Sequence, residues 1–282
     1  MVHQRPLHSS YEAVGDTNSL WLQMTAIAAK ICEKERTLSS AYIQRILRFP
    51  SFEKALATSI SDRLRHAFFA QAPLRQIVET ILQSQPDVSQ CAARDLIFSL
   101  ENNPAYKNLL DVFLNSKGFL ALATHRICHH LWQRNRKELA SYIHGAACEV
   151  HAIDIHPAAV FGDGILIDHA TGLVVGETAK IGDNVSIFHG VTLGSTGKVT
   201  GDRHPKVGSG VLIGAQAIIL GDITIGDNAK VGAGSVVLSN VPKGATVVGV
   251  PARIVNRVNS AGRSSQMPPS DLTHRCLDVC AP

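Results

Sequence analysis

Residues 207–237 read VGSGVLIGAQAIILGDITIGDNAKVGAGSVV, with an aliphatic residue at every sixth position: Val207, Ile213, Ile219, Ile225, Val231 and Val237. A period of six matches neither the 3.6 of a helix nor the 2 of a two-faced strand. It fits a flat triangular coil in which each short strand points one aliphatic residue inward. A tight turn of Gly, Asn or Asp then makes each corner. Three hexads close one coil, and coils stack at strand spacing, about 4.8 Å. One hexad cannot bury its own face, so the repeat is stable only when stacked.

N-terminal to Val207 the repeat is interrupted, and it resumes at Ile181, Ile187 and Leu193. It reappears, two residues out of step, at Ile155, Phe161, Ile167 and Leu173. Small or β-branched residues sit four positions after many of these, at Ala159, Thr171, Val185, Val191, Val211, Ala217, Ala229 and Ser235. The pattern predicts a left-handed parallel β-helix over 149–256. The preceding 1–148 has helical spacing and almost no glycine before Gly118. Helices are expected at Thr17–Lys34, Leu38–Phe49, Phe52–Ala70, Leu74–Gln83, a stretch capped by Asp87 and running to Ser99, Ala105–Leu114 and Gly118–Arg136. The fold class is therefore α+β, an N-terminal α-helical domain followed by the β-helix. Residues 257–282, with SAGRSSQMPPSD, read as a flexible tail.

Charge is +4 over the 282 residues, with no basic run interleaved with aromatics, which argues against nucleic-acid binding. No stretch has the apolar length of a membrane span, and MVHQRPLHSSYEAVGD lacks a signal-peptide core. The six cysteines form no C-x-x-C pair, Cys276 and Cys280 in the tail included. Free thiols in a reducing cytoplasm are expected.

Function has to come from residues that the repeat does not need. Three segments qualify: Asp154-Ile155-His156-Pro157; Asp168-His169-Ala170-Thr171-Gly172 with Gly176-Glu177-Thr178; and Ser195-Thr196-Gly197-Lys198 running to Gly201-Asp202-Arg203-His204-Pro205-Lys206. The last interrupts the repeat, as a loop leaving a rigid scaffold would. Asp168 and His169 fall at a corner, and Glu177 falls where the frame calls for a small residue. Transfer of an acyl group to a hydroxyl needs a base, for which neutral imidazole suits pH 7. It also needs a carboxylate behind the ring and donors for the oxyanion. His169, Asp154, Arg203 and His204 can supply that set.

The runs DIHPAA, LIDHATGLVVGETA and GDRHPK, with KGFLAL upstream and VGVPARIV downstream, resemble the serine acetyltransferase family from about Asn103 to Val255. The resemblance implies transfer of acetyl from acetyl-CoA to the hydroxyl of L-serine by direct attack, the first step of cysteine biosynthesis, without a metal. It makes His169 the base, Asp154 its carboxylate, and His204 a second active-site histidine. Asp168 and Arg203 would bind the serine, with Asn103 and Glu177 beside it. Ser195, Thr196, Ala215 and Ala233 would line the acetyl-CoA path. It further implies a homotrimer or dimer of trimers with sites between subunits, and feedback inhibition by L-cysteine.

The chain departs from the family pattern at three places. Asn103 stands where the family has an aspartate, Gly194-Ser195 where it has Gly-Gly, and the chain lacks the C-terminal isoleucine used to bind O-acetylserine sulfhydrylase. Three other readings compete. One is another acceptor, such as homoserine or a sugar. Another is a scaffold paralogue without activity. The third is a metal site built from His156, His169, His189 and His204, with His125, His129 and His130 on one helix as a further candidate set.

Overall fold

The computed structural model describes residues 16–65, 71–198 and 200–256. The expected tail, its two cysteines and the end of the Phe52–Ala70 helix lie outside them.

The helical part comprises α1 (Thr17–Lys34), α2 (Ser39–Tyr42), α3 (Phe52–Leu64), α4 (Gln71–Ser84), α5 (Pro86–Asn102), α6 (Leu109–Asn115), α7 (Lys117–Gln133) and α8 (Lys137–His151). The expected Leu38–Phe49 helix divides into α2 and a wider π-turn at Ile43–Leu47. Asp87 lies in the first turn of α5 rather than at its cap, because Pro86 opens the helix without needing an N–H partner. α6 starts four residues later than its pattern suggested. Asn108 and Asp111 form a reciprocal capping box there, and the Asn103 side chain holds Ala105 in a turn. α8 was not anticipated. It buries Ala140, Ile143 and Ala146, and ends where Ala152 turns left-handed at φ 54°.

The strands form three walls. The first stacks β1 (Asp154–Ile155), β4 (Val174–Val175), β7 (Thr192–Gly194), β10 (Ile218–Leu220) and β13 (Val236–Val237). The second stacks β2 (Val160–Phe161), β5 (Lys180–Ile181), β8 (Lys206–Val207) and β11 (Thr224–Ile225). The third stacks β3 (Leu166–Ile167), β6 (Ser186–Ile187), β9 (Leu212–Ile213), β12 (Lys230–Val231) and β14 (Thr246–Val248), and closes on antiparallel β15 (Arg253–Asn256). All other pairings are parallel, giving a left-handed parallel β-helix behind a helical region.

Register corrects the sequence frame in one place. Ile155 pairs with Val175, and Val175 with Leu193, so Leu173 is not the wall residue of its coil. The two-residue slip falls earlier, within the 168–172 corner. Leu173 and Ala179 take the small-residue slots, while Thr171 is exposed. Glu177 therefore belongs to a corner, not to a small-residue slot. A second excess, between Leu193 and Ile219, is the loop from Ser195 to Pro205.

The helices are seated tightly on the first coil. A Cβ on Gly118 would lie 2.0 Å from the Ile167 carbonyl oxygen, so only glycine lets α7 approach β3 this closely. Arg126 on α7 makes a bidentate pair with Asp95 on α5, at 2.7 and 2.9 Å, with both side chains buried. The pair also reaches the coil: Arg126 donates to the Gly162 carbonyl, and Asp95 accepts the Ile165 N–H. Such a pair fixes one docking geometry, since breaking it leaves a charge buried alone. No helix among the described residues is long and apolar enough to cross a membrane.

Candidate active site

The predicted residues fall on two edges of the triangular prism. The edge between third and first walls carries the 168–172 corner, where His169 and Ala170 both adopt left-handed backbone at φ 57° and 65°. That conformation is uncommon for non-glycine residues and is held here by the stacked corners above. Gly190 N–H donates to Thr171, Gln216 N–H to His189, and Gly234 N–H to Ala215, so the corners form one ladder. The His169 side chain is 72% exposed, with Nε2 3.5 Å from Asp168 Oδ2 and its ring edge-on to His189. The other Asp168 oxygen, Oδ1, accepts a 3.0 Å bond from Asn103 Nδ2 at the end of α5. Asn103 Oδ1 accepts from the Ala105 N–H. The structure thus joins Asn103, Asp168 and His169, and places Ala215 and Ala233 on the same edge.

The edge between first and second walls carries Glu177, Thr178, Arg203 and His204. Arg203 Nη2 donates to Glu177 Oε2 at 2.8 Å, and that bond holds the Glu177 carboxyl below the usual carboxylate range. The Thr178 hydroxyl accepts the backbone N–H groups of both Arg203 and His204. Thr178 N–H in turn donates to His204 Nδ1 at 3.2 Å. Nδ1 is therefore an acceptor, which assigns the proton of the neutral ring to Nε2. Burial, and then the Arg203 charge, push the His204 value down, so at neutral pH the ring is an Nε2–H donor. The ring packs where a Cβ on Gly176 would lie, 2.0 Å from Nε2. Ser195 and Thr196 begin the loop at this edge, and the Ser195 hydroxyl accepts the Gly197 N–H within the loop's own turn.

Asp154 joins neither group directly. Neither of its oxygens lies within 4.0 Å of a His169 nitrogen; instead Oδ1 is 3.0 Å from His144 Nε2 on α8. The expected His169–Asp154 pair is thus not formed within the single chain. His156 stands near Glu177 and Arg203, pushed down mainly by burial.

The alternative metal sets do not assemble within the chain. His156 and His204 belong to one edge, and His169 and His189 to the other. His125 is buried with Nδ1 unpartnered, while His129 Nδ1 is bonded to the Pro157 carbonyl. Sequence reasoning missed two participants. Thr178 was quoted in its motif but given no task, because nothing in a linear pattern shows one hydroxyl bracing two residues 25 and 26 positions away. His144 lies on the helix that was not foreseen.

Comparison with known proteins follows the same division. The family described as serine acetyltransferase, N-terminal, matches residues 20–124, and the bacterial transferase hexapeptide family (six repeats) matches 204–239. The serine acetyltransferase of Haemophilus influenzae is 45% identical over 245 residues, 87% of this chain and 92% of that protein. Soybean serine acetyltransferase complexed with serine superposes with a TM-score of 0.82 at 48% identity, covering 85% of this chain and 98% of that one. The Brucella abortus enzyme in complex with coenzyme A gives 0.82 at 45%, covering 86% and 96%. A serine acetyltransferase complex with cysteine gives 0.84 at 44%, covering 87% and 96%. With both halves matched and the identity extending over nearly the whole of each relative, the chain belongs to the serine acetyltransferase family.

Proposed function

We propose that this protein transfers the acetyl group of acetyl-CoA to the hydroxyl of L-serine, with the acceptor site completed between copies of the chain. The observation that carries this reading is the complementarity of the two edges. One presents an exposed imidazole beside a carboxylate–amide pair suited to an ammonium group. The other presents a guanidinium suited to a carboxylate and a neutral Nε2–H donor suited to an oxyanion. Neither edge alone holds an amino acid and activates it, and the acetyl-CoA residues divide likewise, Ala215 and Ala233 against Ser195 and Thr196. A trimer, alone or paired into a hexamer, sets one edge of each β-helix against the other edge of its neighbour.

In this mechanism Asp168, with Asn103, receives the serine ammonium, and Arg203 its carboxylate. His169 takes the hydroxyl proton as the oxygen attacks the thioester carbonyl. His204 donates to the tetrahedral oxyanion, and collapse expels CoA thiolate, which regains the proton from His169. Asp154 backs the imidazolium once assembly or ring rotation brings the two together. Residues 1–148 serve oligomerisation and part of the acceptor site, and 149–256 carry the transfer chemistry. L-cysteine competes at the serine position, as suits a molecule differing by one atom. The cysteines, free of a disulfide framework, favour a cytoplasmic setting.

Thiol release from acetyl-CoA tests the reading, with L-serine, L-homoserine, L-threonine and a simple sugar as acceptors, with and without a chelator. Release with serine alone, unaffected by chelator, is expected. Release with another acceptor only would replace serine in the proposal, and no release would return it to a scaffold.

A further inference from the structure

Where the helical part meets the β-helix, three side chains of different chemistry converge. His144 and Cys148 lie four residues apart on α8 and so share a face. The chain then reverses at Ala152, whose left-handed backbone returns β1 over that face and brings Asp154 with it. His144 Nε2 stands 3.0 Å from Asp154 Oδ1 and 3.1 Å from Cys148 Sγ, and the three donor atoms all lie within 4.8 Å of one another. Ligands bonded tetrahedrally to zinc at 2.0–2.3 Å stand about 3.3–3.7 Å apart, so an ion fits after small side-chain adjustments. Among the described residues this is the group in which three possible ligand atoms gather so closely.

The ligand chemistry selects the ion. One nitrogen, one thiol sulfur and one carboxylate oxygen suit a borderline-soft first-row cation, whereas magnesium and calcium take oxygen alone. Access is open: the Asp154 side chain is 58% exposed and His144 is half-buried, leaving room for water as a further ligand. A thiol adds little to a hydrogen-bonded cluster, being a weak donor and a weak acceptor. Burial and the neighbouring Asp154 push the Cys148 thiol up to about 11, so without an ion it stays protonated.

We propose that His144, Cys148 and Asp154 form a binding site for a zinc-like divalent cation, and that filling it withdraws Asp154 from acetyl transfer. On binding, the thiol proton leaves to solvent and the sulfur, the imidazole nitrogen and a carboxylate oxygen bond to the ion, with no redox change. The site stands on the geometry. Its inhibitory effect rests on the reading of Asp154 as the carboxylate behind the base.

Cobalt(II) titration of the full-length protein tests the site without reference to activity, through the near-ultraviolet sulfur-to-cobalt charge-transfer band. One band-forming ion per chain is expected, displaced by zinc and lost in both Cys148→Ser and His144→Gln. Absence of the band overturns the proposal. So does its persistence in Cys148→Ser, which would assign it to another of the six cysteines. Micromolar zinc should also inhibit acetyl transfer by the unmodified enzyme at least tenfold, reversibly by chelator, while sparing Cys148→Ser. A band at this site with no inhibition leaves the site standing and overturns the part played by Asp154.

Discussion

The two edges that share the candidate site are built on opposite principles. On the His169 edge the imidazole is exposed, lies 3.5 Å from its nearest carboxylate oxygen, and is fixed mainly by the backbone conformation of its corner. On the His204 edge almost every polar atom is tied to another: Thr178 to Arg203 and His204, Arg203 to Glu177, and the His204 ring packed against Gly176. The difference suits the two tasks of the proposed mechanism. A base that must take and return a proton needs an accessible ring. A donor that must already be in place when charge develops needs a held one, since reorganising it during the reaction would forfeit much of its effect.

Loss of the open side's imidazole should have the largest effect. His169→Ala should lower acetyl transfer by about 10²–10⁴, the usual worth of a general base. The melting temperature should stay within about 1 °C, because an exposed ring buries little. If turnover stays within a few-fold of the parent, the base lies elsewhere and the edges do not divide the work in this way.

The braced side is attacked next through Gly176→Ala. The new methyl would occupy the place of the His204 ring, which has to swing out of its bond with Thr178. Turnover should fall by roughly ten- to a hundredfold. Stability should fall by about 1–3 kcal/mol, the cost of overpacking. A loss of stability without a loss of turnover would reduce His204 to a structural group.

Asn103→Asp adds a charge to the open side. It would set a second carboxylate about 3 Å from Asp168, an unfavourable pair that an ammonium between them relieves. The KM for L-serine should fall a few-fold, and inhibition by L-cysteine should tighten with it, as steady-state assays at fixed acetyl-CoA would show. An unchanged or raised KM would mean that the ammonium is held elsewhere.

The smallest effect is on pH. His204 sits below its ordinary value, chiefly through burial, so folding favours its neutral form. The stability that this contributes is complete above the unfolded value near 6.5 and is lost as pH falls towards the lowered folded value. Thermal melts between pH 7 and 4.5 should therefore be flatter for His204→Gln than for the parent. A His204→Gln melt as steep with pH as the parent's would mean that folding does not hold this ring neutral.

Much of this was legible in the sequence. The six-residue period determined the β-helix, because each coil repeats the same demand: one aliphatic residue inward and one tight corner. The motifs carried the site residues, and Asn103 and Asp168 do meet across 65 residues of chain. The frame, however, was read two residues off at the 168–172 corner, because Leu173 is as apolar as Val175, and only strand pairing tells them apart. α8 was missed because a helix that runs directly into the repeat carries no breaker to announce it.

The repeat, the residue types gathered at its interruptions and the family these imply all follow from the order of the residues. Which of them are neighbours follows only from the folded coils. A corner position says that a side chain faces outward, but not along which of three edges. That depends on the count of residues around each coil, which two insertions alter. Hence His169 and His204 stand on different edges, and Asp154 faces His144 and Cys148, three residues the linear pattern never grouped.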